Sequence, residues 1–196
     1  GMAVNEYGWW YFNNGQLDLT FYGLANNEYG TWFYTDGQLN FGFTGMIIPD
    51  DEWLYVQNGQ VLTDYTGMAL NEYGWWYVDN GTVDLSYTGM AQLGYDWWYV
   101  TNGVLDRDYT GMTVYDGNWY YLINGFLDRS YEGLADNEYG WWYFNNGLLD
   151  LTFTGVGSNE YGDWYFKDGT IAFDYSGTIS FGGQDYTVTN GYAVKA

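Results

Sequence analysis

Three neighbouring stretches near the start of the chain, Trp9-Trp10-Tyr11-Phe12, Asn14-Gly15 and Leu17-Asp18-Leu19-Thr20-Phe21, decide its fold. The aromatic run leads into Asn-Gly, the strongest short-range hairpin signal, because both central residues of a type I′ turn need positive φ. The segment after the turn alternates apolar and polar residues with the period of a β-strand. Together the three stretches predict a β-hairpin.

The same pattern recurs every 22 residues along the chain. Each of nine units opens with a glycine, and a second glycine, preceded by Asn or Asp, follows fourteen residues later. A hairpin of this size cannot bury its apolar face alone, so the units must stack on one another. We therefore predict an all-β solenoid of stacked β-hairpins, one repeat domain over residues 1–196, whose last, shorter unit acts as a cap. The units begin at Gly1, Gly23, Gly45, Gly67, Gly89, Gly111, Gly133, Gly155 and Gly177.

The charge balance limits the partners of the chain. Four basic residues face 25 acidic ones, for a net charge of -21. A phosphate backbone needs clustered Lys and Arg, so we expect no nucleic-acid partner. No apolar run is long enough to cross a membrane, so no membrane insertion is expected. The absence of cysteine excludes disulfides and thiolate metal sites.

The sequence argues against catalysis. The chain has no histidine and no cysteine, the usual base and thiol nucleophile. Carboxylates recur in most repeats, as at Asp18, Asp84 and Asp106, whereas an active site needs two carboxyls in different environments within one cleft. No calcium-loop pattern is present. We predict a protein that is not an enzyme and that has no cofactor and no specific metal site; weak association of calcium with the acidic surface is left open by the sequence.

The hairpin register predicts two faces, with positions numbered from the opening glycine of each repeat. If Asn14-Gly15 is a two-residue loop, position 12 opposes 17, position 11 opposes 18 and position 10 opposes 19. Positions 10, 12, 17, 19 and 21 then form an inner face. Positions 9, 11, 18 and 20 form an aromatic and acidic outer face. The stretch Asn5-Glu6-Tyr7-Gly8 is typical of a connecting turn at the surface.

The tryptophans are the candidate binding groups, since all twelve fall at position 9 or 10. Packing between hairpins explains position 10 well, whereas the outward position 9 suits a ligand platform. Aromatic faces stack on sugar rings or hold quaternary ammonium groups. A ladder of such sites would bind a polymer through avidity. The candidate ligand-binding residues are Trp9, Tyr11, Trp75, Trp76, Tyr77, Trp97, Trp98, Tyr99, Trp119, Tyr121, Trp141, Trp142 and Tyr143.

The repeated pattern Gly8-Trp9-Trp10-Tyr11-Phe12, Asn14-Gly15 and Gly23 resembles the cell-wall-binding, or choline-binding, repeats of Gram-positive surface proteins, and the related glucan-binding repeats. The resemblance implies a hairpin solenoid with ligand sites lined by aromatics of successive hairpins. It also implies an extracellular location at the bacterial cell surface. Choline-binding members carry Trp at position 2, where this chain has Met2 and Leu24, among others. This departure puts the family's aromatic cage in question.

These observations lead to two hypotheses from different classes. The first is a non-catalytic surface module that binds a cell-wall or host carbohydrate polymer, choline-decorated or not, through aromatic sites. The alternative is a structural spacer, or stalk, whose aromatics serve only for stacking between hairpins. Exposure of the position-9 indoles distinguishes the two. Self-association is left open by the sequence.

Overall fold

The computed structural model describes residues 1–196 and contains 27 β-strands and one 3-10 turn. Each repeat contributes three strands, two longer ones and a final short one. The strands are β1 Met2–Asn5, β2 Gly8–Asn13, β3 Gln16–Leu17, β4 Gly23–Asn27, β5 Gly30–Thr35, β6 Gln38–Leu39, β7 Gly45–Ile47, β8 Leu54–Gln57, β9 Gln60–Val61, β10 Gly67–Asn71, β11 Gly74–Asp79, β12 Thr82–Val83, β13 Gly89–Leu93, β14 Asp96–Thr101, β15 Val104–Leu105, β16 Gly111–Tyr115, β17 Asn118–Ile123, β18 Phe126–Leu127, β19 Gly133–Asn137, β20 Gly140–Asn145, β21 Leu148–Leu149, β22 Gly155–Asn159, β23 Gly162–Lys167, β24 Thr170–Ile171, β25 Gly177–Phe181, β26 Gln184–Thr189 and β27 Tyr192–Lys195. The 3-10 turn, Pro49–Asp51, lies between β7 and β8.

The short third strand joins successive hairpins. It pairs antiparallel with the second strand of its own repeat, as in Phe12 opposite Leu17. It also pairs with the second strand of the preceding repeat, as in Trp10 opposite Gln38. The all-β fold of stacked 22-residue hairpins is therefore confirmed. No helix in the structure has the length and apolarity needed to cross a membrane.

The Asn-Gly turns have the predicted left-handed geometry, with φ of 48° at Asn14 and 80° at Gly15. The turn glycine also makes contact with the preceding repeat. The amide of Gly103 donates to the carbonyl of Tyr87 at 2.8 Å. A Cβ on Gly103 would lie 2.5 Å from the carbonyl oxygen of Asp84. Glycine is thus required both by the turn and by the close approach of the neighbouring backbone.

The predicted register is correct only as far as position 17. After this position the chain leaves the strand in a turn, in which the amide of position 21 donates to the carbonyl of position 18, as from Tyr131 to Asp128 at 3.1 Å and from Tyr175 to Ala172 at 3.0 Å. In the first repeat Asp18 Oδ1 adds to this turn by accepting hydrogen bonds from the Thr20 amide at 3.0 Å and the Thr20 hydroxyl at 2.7 Å. The predicted pairing of positions 10 and 19 is therefore wrong, since position 10 pairs with position 16 of the next repeat. Position 19 does not belong to the inner face either, because Leu19 is 56% exposed.

Contacts group the residues into two compact units, one formed by residues 1–93 and 100–105, the other by residues 94–99 and 106–196. The side chains at position 12 are buried in the core of each unit. In the first unit Val56, Val78 and Val100 are fully buried, and in the second Leu122 and Phe144 are. The inner position of residue 12 is as predicted. The prediction of a single repeat domain with a terminal cap stays a prediction.

Candidate aromatic binding site

An asparagine at position 5 fixes the tryptophan at position 10. Asn137 Oδ1 accepts a hydrogen bond from the Tyr139 amide at 2.9 Å and another from Trp142 Nε1 at 3.0 Å. The first bond closes the turn between the two strands, and the second holds the indole against that turn. The same pair of bonds occurs in four other repeats, with the Asn–Trp pairs Asn5–Trp10, Asn27–Trp32, Asn71–Trp76 and Asn159–Trp164.

A small open cavity lies where the sixth and seventh hairpins meet. Its volume is about 320 Å³. Trp119 comes from the sixth hairpin, and the seventh supplies Tyr139 and the indole that Asn137 holds. No charged side chain is part of the lining. We call this cavity the aromatic notch; it is lined by Met112, Trp119, Asn137, Tyr139, Trp142, Phe144 and Leu149.

Three other hairpin interfaces carry the same three aromatic residues together with Asn at position 5. Two of them place the position-9 indole edge-on to the position-7 phenol of the next hairpin. The ring centroids are 6.1 Å apart for Trp53 and Tyr73, and 6.1 Å apart for Trp141 and Tyr161. The aromatic residues at the three interfaces are Trp9, Tyr29 and Trp32, then Trp53, Tyr73 and Trp76, and finally Trp141, Tyr161 and Trp164. The residues that form the notch therefore recur at these interfaces.

The tyrosine at position 11 stacks on the ring at position 21 of its own repeat. The centroids of Tyr99 and Tyr109 are 3.5 Å apart with an interplanar angle of 12°. The hydroxyl of Tyr109 donates to the carbonyl of Met112 at 2.6 Å. Burial raises the pKa of Tyr109 to about 12, with a further contribution from the adjacent Tyr99. The prediction that positions 11 and 21 lie on opposite faces is therefore wrong.

The predicted site residues fall into two groups. The tryptophans at positions 9 and 10 are all half-buried, and the structure brings Trp119 and Trp142 together in the notch. The tyrosines at position 11 lie in ring stacks, and neither Tyr121 nor Tyr143 lines the notch. The stacked tyrosines among the predicted residues are Tyr11, Tyr77, Tyr99, Tyr121 and Tyr143.

The remaining predicted tryptophans have other neighbours. Trp75 packs with Tyr77 against a core cluster of the first unit. The ring centroids of Trp97 and Tyr115 are 4.4 Å apart. The guanidinium of Arg107 lies over Trp98, 5.8 Å from the ring centroid, so a cation already covers one face of this indole.

Two residues of the notch were not predicted from the sequence, because the connecting stretch was interpreted only as a turn. Tyr139 at position 7 supplies a wall of the notch, and Asn137 at position 5 holds another. A signal was present in the sequence. Every repeat with Asn at position 5 has Trp at position 10, whereas only one of the four repeats without this Asn does, at Trp98.

Methionine at position 2 takes a place in the core beneath the aromatic rings. Met46, Met68 and Met90 are 7%, 5% and 2% exposed, and Met112 lines the notch. Met68 lies opposite Tyr77 in the strand register. Position 2, where the resemblance to choline-binding repeats implies Trp, is therefore part of the floor of this arrangement, and the aromatic walls come from positions 7, 9 and 10.

Comparison with known proteins places the chain in a family. The family model described as the choline-binding repeat matches residues 3–18, 20–40, 64–84, 86–106, 108–128 and 130–150, more than half of the chain. Comparison with curated protein sequences returned no match.

Among solved structures, CbpJ from Streptococcus pneumoniae is 19% identical with a TM-score of 0.34, over 96% of this chain and 70% of that one. Choline binding protein F from Streptococcus pneumoniae, solved in the presence of a peptidoglycan analogue, is 21% identical with a TM-score of 0.33, over 98% of this chain and 73% of that one. Truncated alternansucrase from Leuconostoc mesenteroides is 17% identical with a TM-score of 0.36, and the match covers 91% of this chain but 15% of the enzyme. On the strength of the family model, the chain belongs to the family of choline-binding repeats.

Proposed function

We propose that this chain is a non-catalytic module of the bacterial cell surface that binds a choline-decorated cell-wall polymer in its aromatic notches. The observation that carries the proposal is the notch formed by Trp119, Tyr139 and Trp142, with Met112 beside them. Three aromatic rings from two hairpins surround a volume suited to a small cationic head group. Membership of the choline-binding repeat family supports the same ligand class.

The chemistry of the notch favours a quaternary ammonium group over a sugar ring. A sugar brings hydroxyl groups that need hydrogen-bond partners, because burying an unpaired hydroxyl is unfavourable. The lining has few polar atoms for this purpose, and two of them, Asn137 Oδ1 and Trp142 Nε1, are already bonded to each other. A trimethylammonium group has no N–H to satisfy, and it is attracted to the faces of indole and phenol rings.

The charge and the repetition both strengthen binding to a polymer. A net charge of -21 attracts cationic groups over distances comparable to the Debye length. One notch holds its ligand weakly. Several notches on one chain raise the effective concentration of a polymer that carries many cationic groups, and the combined affinity exceeds that of a single site.

The alternative function, a spacer, draws on a different observation. The stacks of Tyr99 on Tyr109 and of Tyr143 on Phe153, with centroids 3.5 Å apart in both, are structural contacts that need no ligand. A spacer would use the indoles in the same way. The response of the notch to choline separates the two functions.

The test is a choline titration followed by the indole N–H resonances in a proton–nitrogen correlation spectrum. We expect saturable shifts of Trp119 and Trp142. Tyr139→Ala removes one wall and should weaken binding at this notch about tenfold, since a cation–π contact contributes roughly 0.5–2 kcal/mol. Tyr95→Ala is the matched control, because Tyr95 holds the same turn position in the fifth repeat, is 94% exposed and does not line this notch. Indoles that do not respond to choline would support the spacer instead.

A further inference from the structure

A second and larger cavity lies in the first unit, where the repeat pattern is broken. Its volume is about 950 Å³, about three times that of the notch, and its lining comes from the first four repeats. We propose that this cavity is a docking site for a basic peptide segment whose cationic side chains alternate with apolar ones. We call it the acidic cleft, defined by Tyr22, Ile48, Asp50, Glu52, Trp53 and Glu72.

The acidic cleft is formed where the third repeat departs from the others. The turn Asn-Glu-Tyr-Gly of other repeats is replaced by Pro49-Asp50-Asp51-Glu52, which forms the 3-10 turn with left-handed φ of 52° at Asp50 and 65° at Asp51. Thr31 and Leu54 stand where a notch would need two tryptophans. The second and third hairpins therefore cannot form an aromatic notch, and the cavity between them has a different chemistry.

Two further departures from the repeat pattern meet at the same cleft. Tyr22 is the only aromatic residue at position 22, which elsewhere holds Thr, Ser or Glu. Ile48 and Leu70 are adjacent apolar residues at position 4, which is polar in five of the nine repeats. All three line the cleft, and they are 72%, 51% and 49% exposed. Exposed apolar side chains grouped around a cavity are typical of an interaction surface.

The charge of the cleft identifies the occupant. Asp50, Glu52 and Glu72 line it, and the side chains of Asp50 and Glu52 form no hydrogen bond or ion pair within the chain. The first unit has no Lys or Arg, since all four basic residues of the chain are Arg107, Arg129, Lys167 and Lys195. A bound ammonium or guanidinium would donate N–H bonds to these carboxylates, which a quaternary ammonium group cannot do.

The shape of the cleft favours a peptide over a small amine. The lining runs from Phe21 in the first repeat to Glu72 in the fourth, so the occupant is extended along the stack. Apolar walls such as Phe33, Phe43 and Trp53 lie beside the carboxylates. A segment with alternating apolar and basic side chains places its apolar groups on these walls and its cations at the acidic rim.

The test uses isothermal titration calorimetry with the whole chain and four probes. These are an acetylated, amidated pentapeptide of sequence LKLRL, its counterpart LELEL, a neutral isomalto-oligosaccharide and choline. We expect LKLRL to bind, LELEL not to bind, and the affinity for LKLRL to fall as salt is raised. The double variant Asp50→Asn/Glu52→Gln should weaken LKLRL binding about fivefold, because exposed charge pairs each make a modest contribution.

Control measurements separate this proposal from the function of the notches. The double variant Glu6→Gln/Glu28→Gln makes the same change in net charge at two exposed turns that do not line the cleft, and it should leave LKLRL binding within about twofold of the original. Choline-induced shifts of Trp119 should be unchanged in both variants. Equal loss of LKLRL binding in the two double variants would show a general charge effect and overturn the proposal. Tighter binding of the oligosaccharide than of LKLRL would also overturn it, in favour of a glycan groove.

Discussion

Replacing Asn137 with alanine tests whether one side chain organises the aromatic notch. The substitution removes the acceptor of two hydrogen bonds, from the Tyr139 amide and from Trp142 Nε1. Each bond contributes roughly 0.5–1.5 kcal/mol net, so their combined loss costs about 2 kcal/mol. The half-buried indole N–H is also left without its partner. We therefore expect a loss of about 2 kcal/mol in the free energy of unfolding, together with a displaced Trp142 ring.

Urea denaturation measures the change in stability, and the indole correlation spectrum reports on the ring. Asn137→Asp is the matched control, since it keeps an acceptor oxygen where alanine has none, and it should retain most of the stability and the choline response. In Asn137→Ala the Trp142 N–H resonance should move and choline should bind this notch more weakly. The reasoning is refuted if the alanine variant unfolds within about 0.5 kcal/mol of the original chain with an unchanged Trp142 resonance.

Two further predictions concern the backbone turns and the tyrosine stacks. Gly103→Ala should destabilise the chain by about 3 kcal/mol and Gly15→Ala by about 1 kcal/mol. Both residues have left-handed φ, but only at Gly103 would the added Cβ lie against a carbonyl, that of Asp84. Equal losses of stability in urea denaturation would contradict this prediction. Tyr109 and Tyr131 have pKa values raised to about 12, mainly by burial. A raised pKa favours the protonated folded state, so this stabilisation is complete below pH 10 and is lost as the pH rises towards 12. Tyrosinate absorbance that develops fully near pH 10 in the folded chain would disprove the raised pKa values.

The sequence predicted the fold well because the signal is local and repeated. An Asn-Gly turn specifies its own φ values, and a fixed period requires neighbouring hairpins to pack in the same way. The register failed after position 17 for an equally local reason. In a strand, Asp18 was expected to alternate with apolar neighbours, but the chain turns at this position and the carboxylate accepts bonds from Thr20 within the turn. The strand ends at position 17 also where Leu62 or Ala172 follows, so the turn is a feature of the repeat backbone, which the alternation of apolar and polar side chains does not reveal.

The candidate site was only half predictable for a different reason. Trp119 and Trp142 stand out by residue type, and the structure brings them together. Tyr139 and Asn137 lie in a stretch whose composition is that of a turn. They become part of the notch only because their own hairpin, the seventh, packs beside the sixth hairpin, which carries Trp119. That proximity comes from packing between repeats. The only sign of this site in the sequence is that Asn at position 5 coincides with Trp at position 10.

The notch belongs to a pair of hairpins, which changes what a single substitution can do. One hairpin supplies the position-9 indole, and the next supplies the Asn–Trp pair together with the turn tyrosine. In the third repeat the altered turn removes Asn and Tyr at once, and position 10 becomes Leu54. The bond that would hold an indole is missing there, so restoring tryptophan alone at residues 31 and 54 should not rebuild a notch. The turn, through the acceptor at position 5, decides which interfaces between hairpins present an ordered aromatic surface, while Val56 at position 12 of the same repeat stays fully buried.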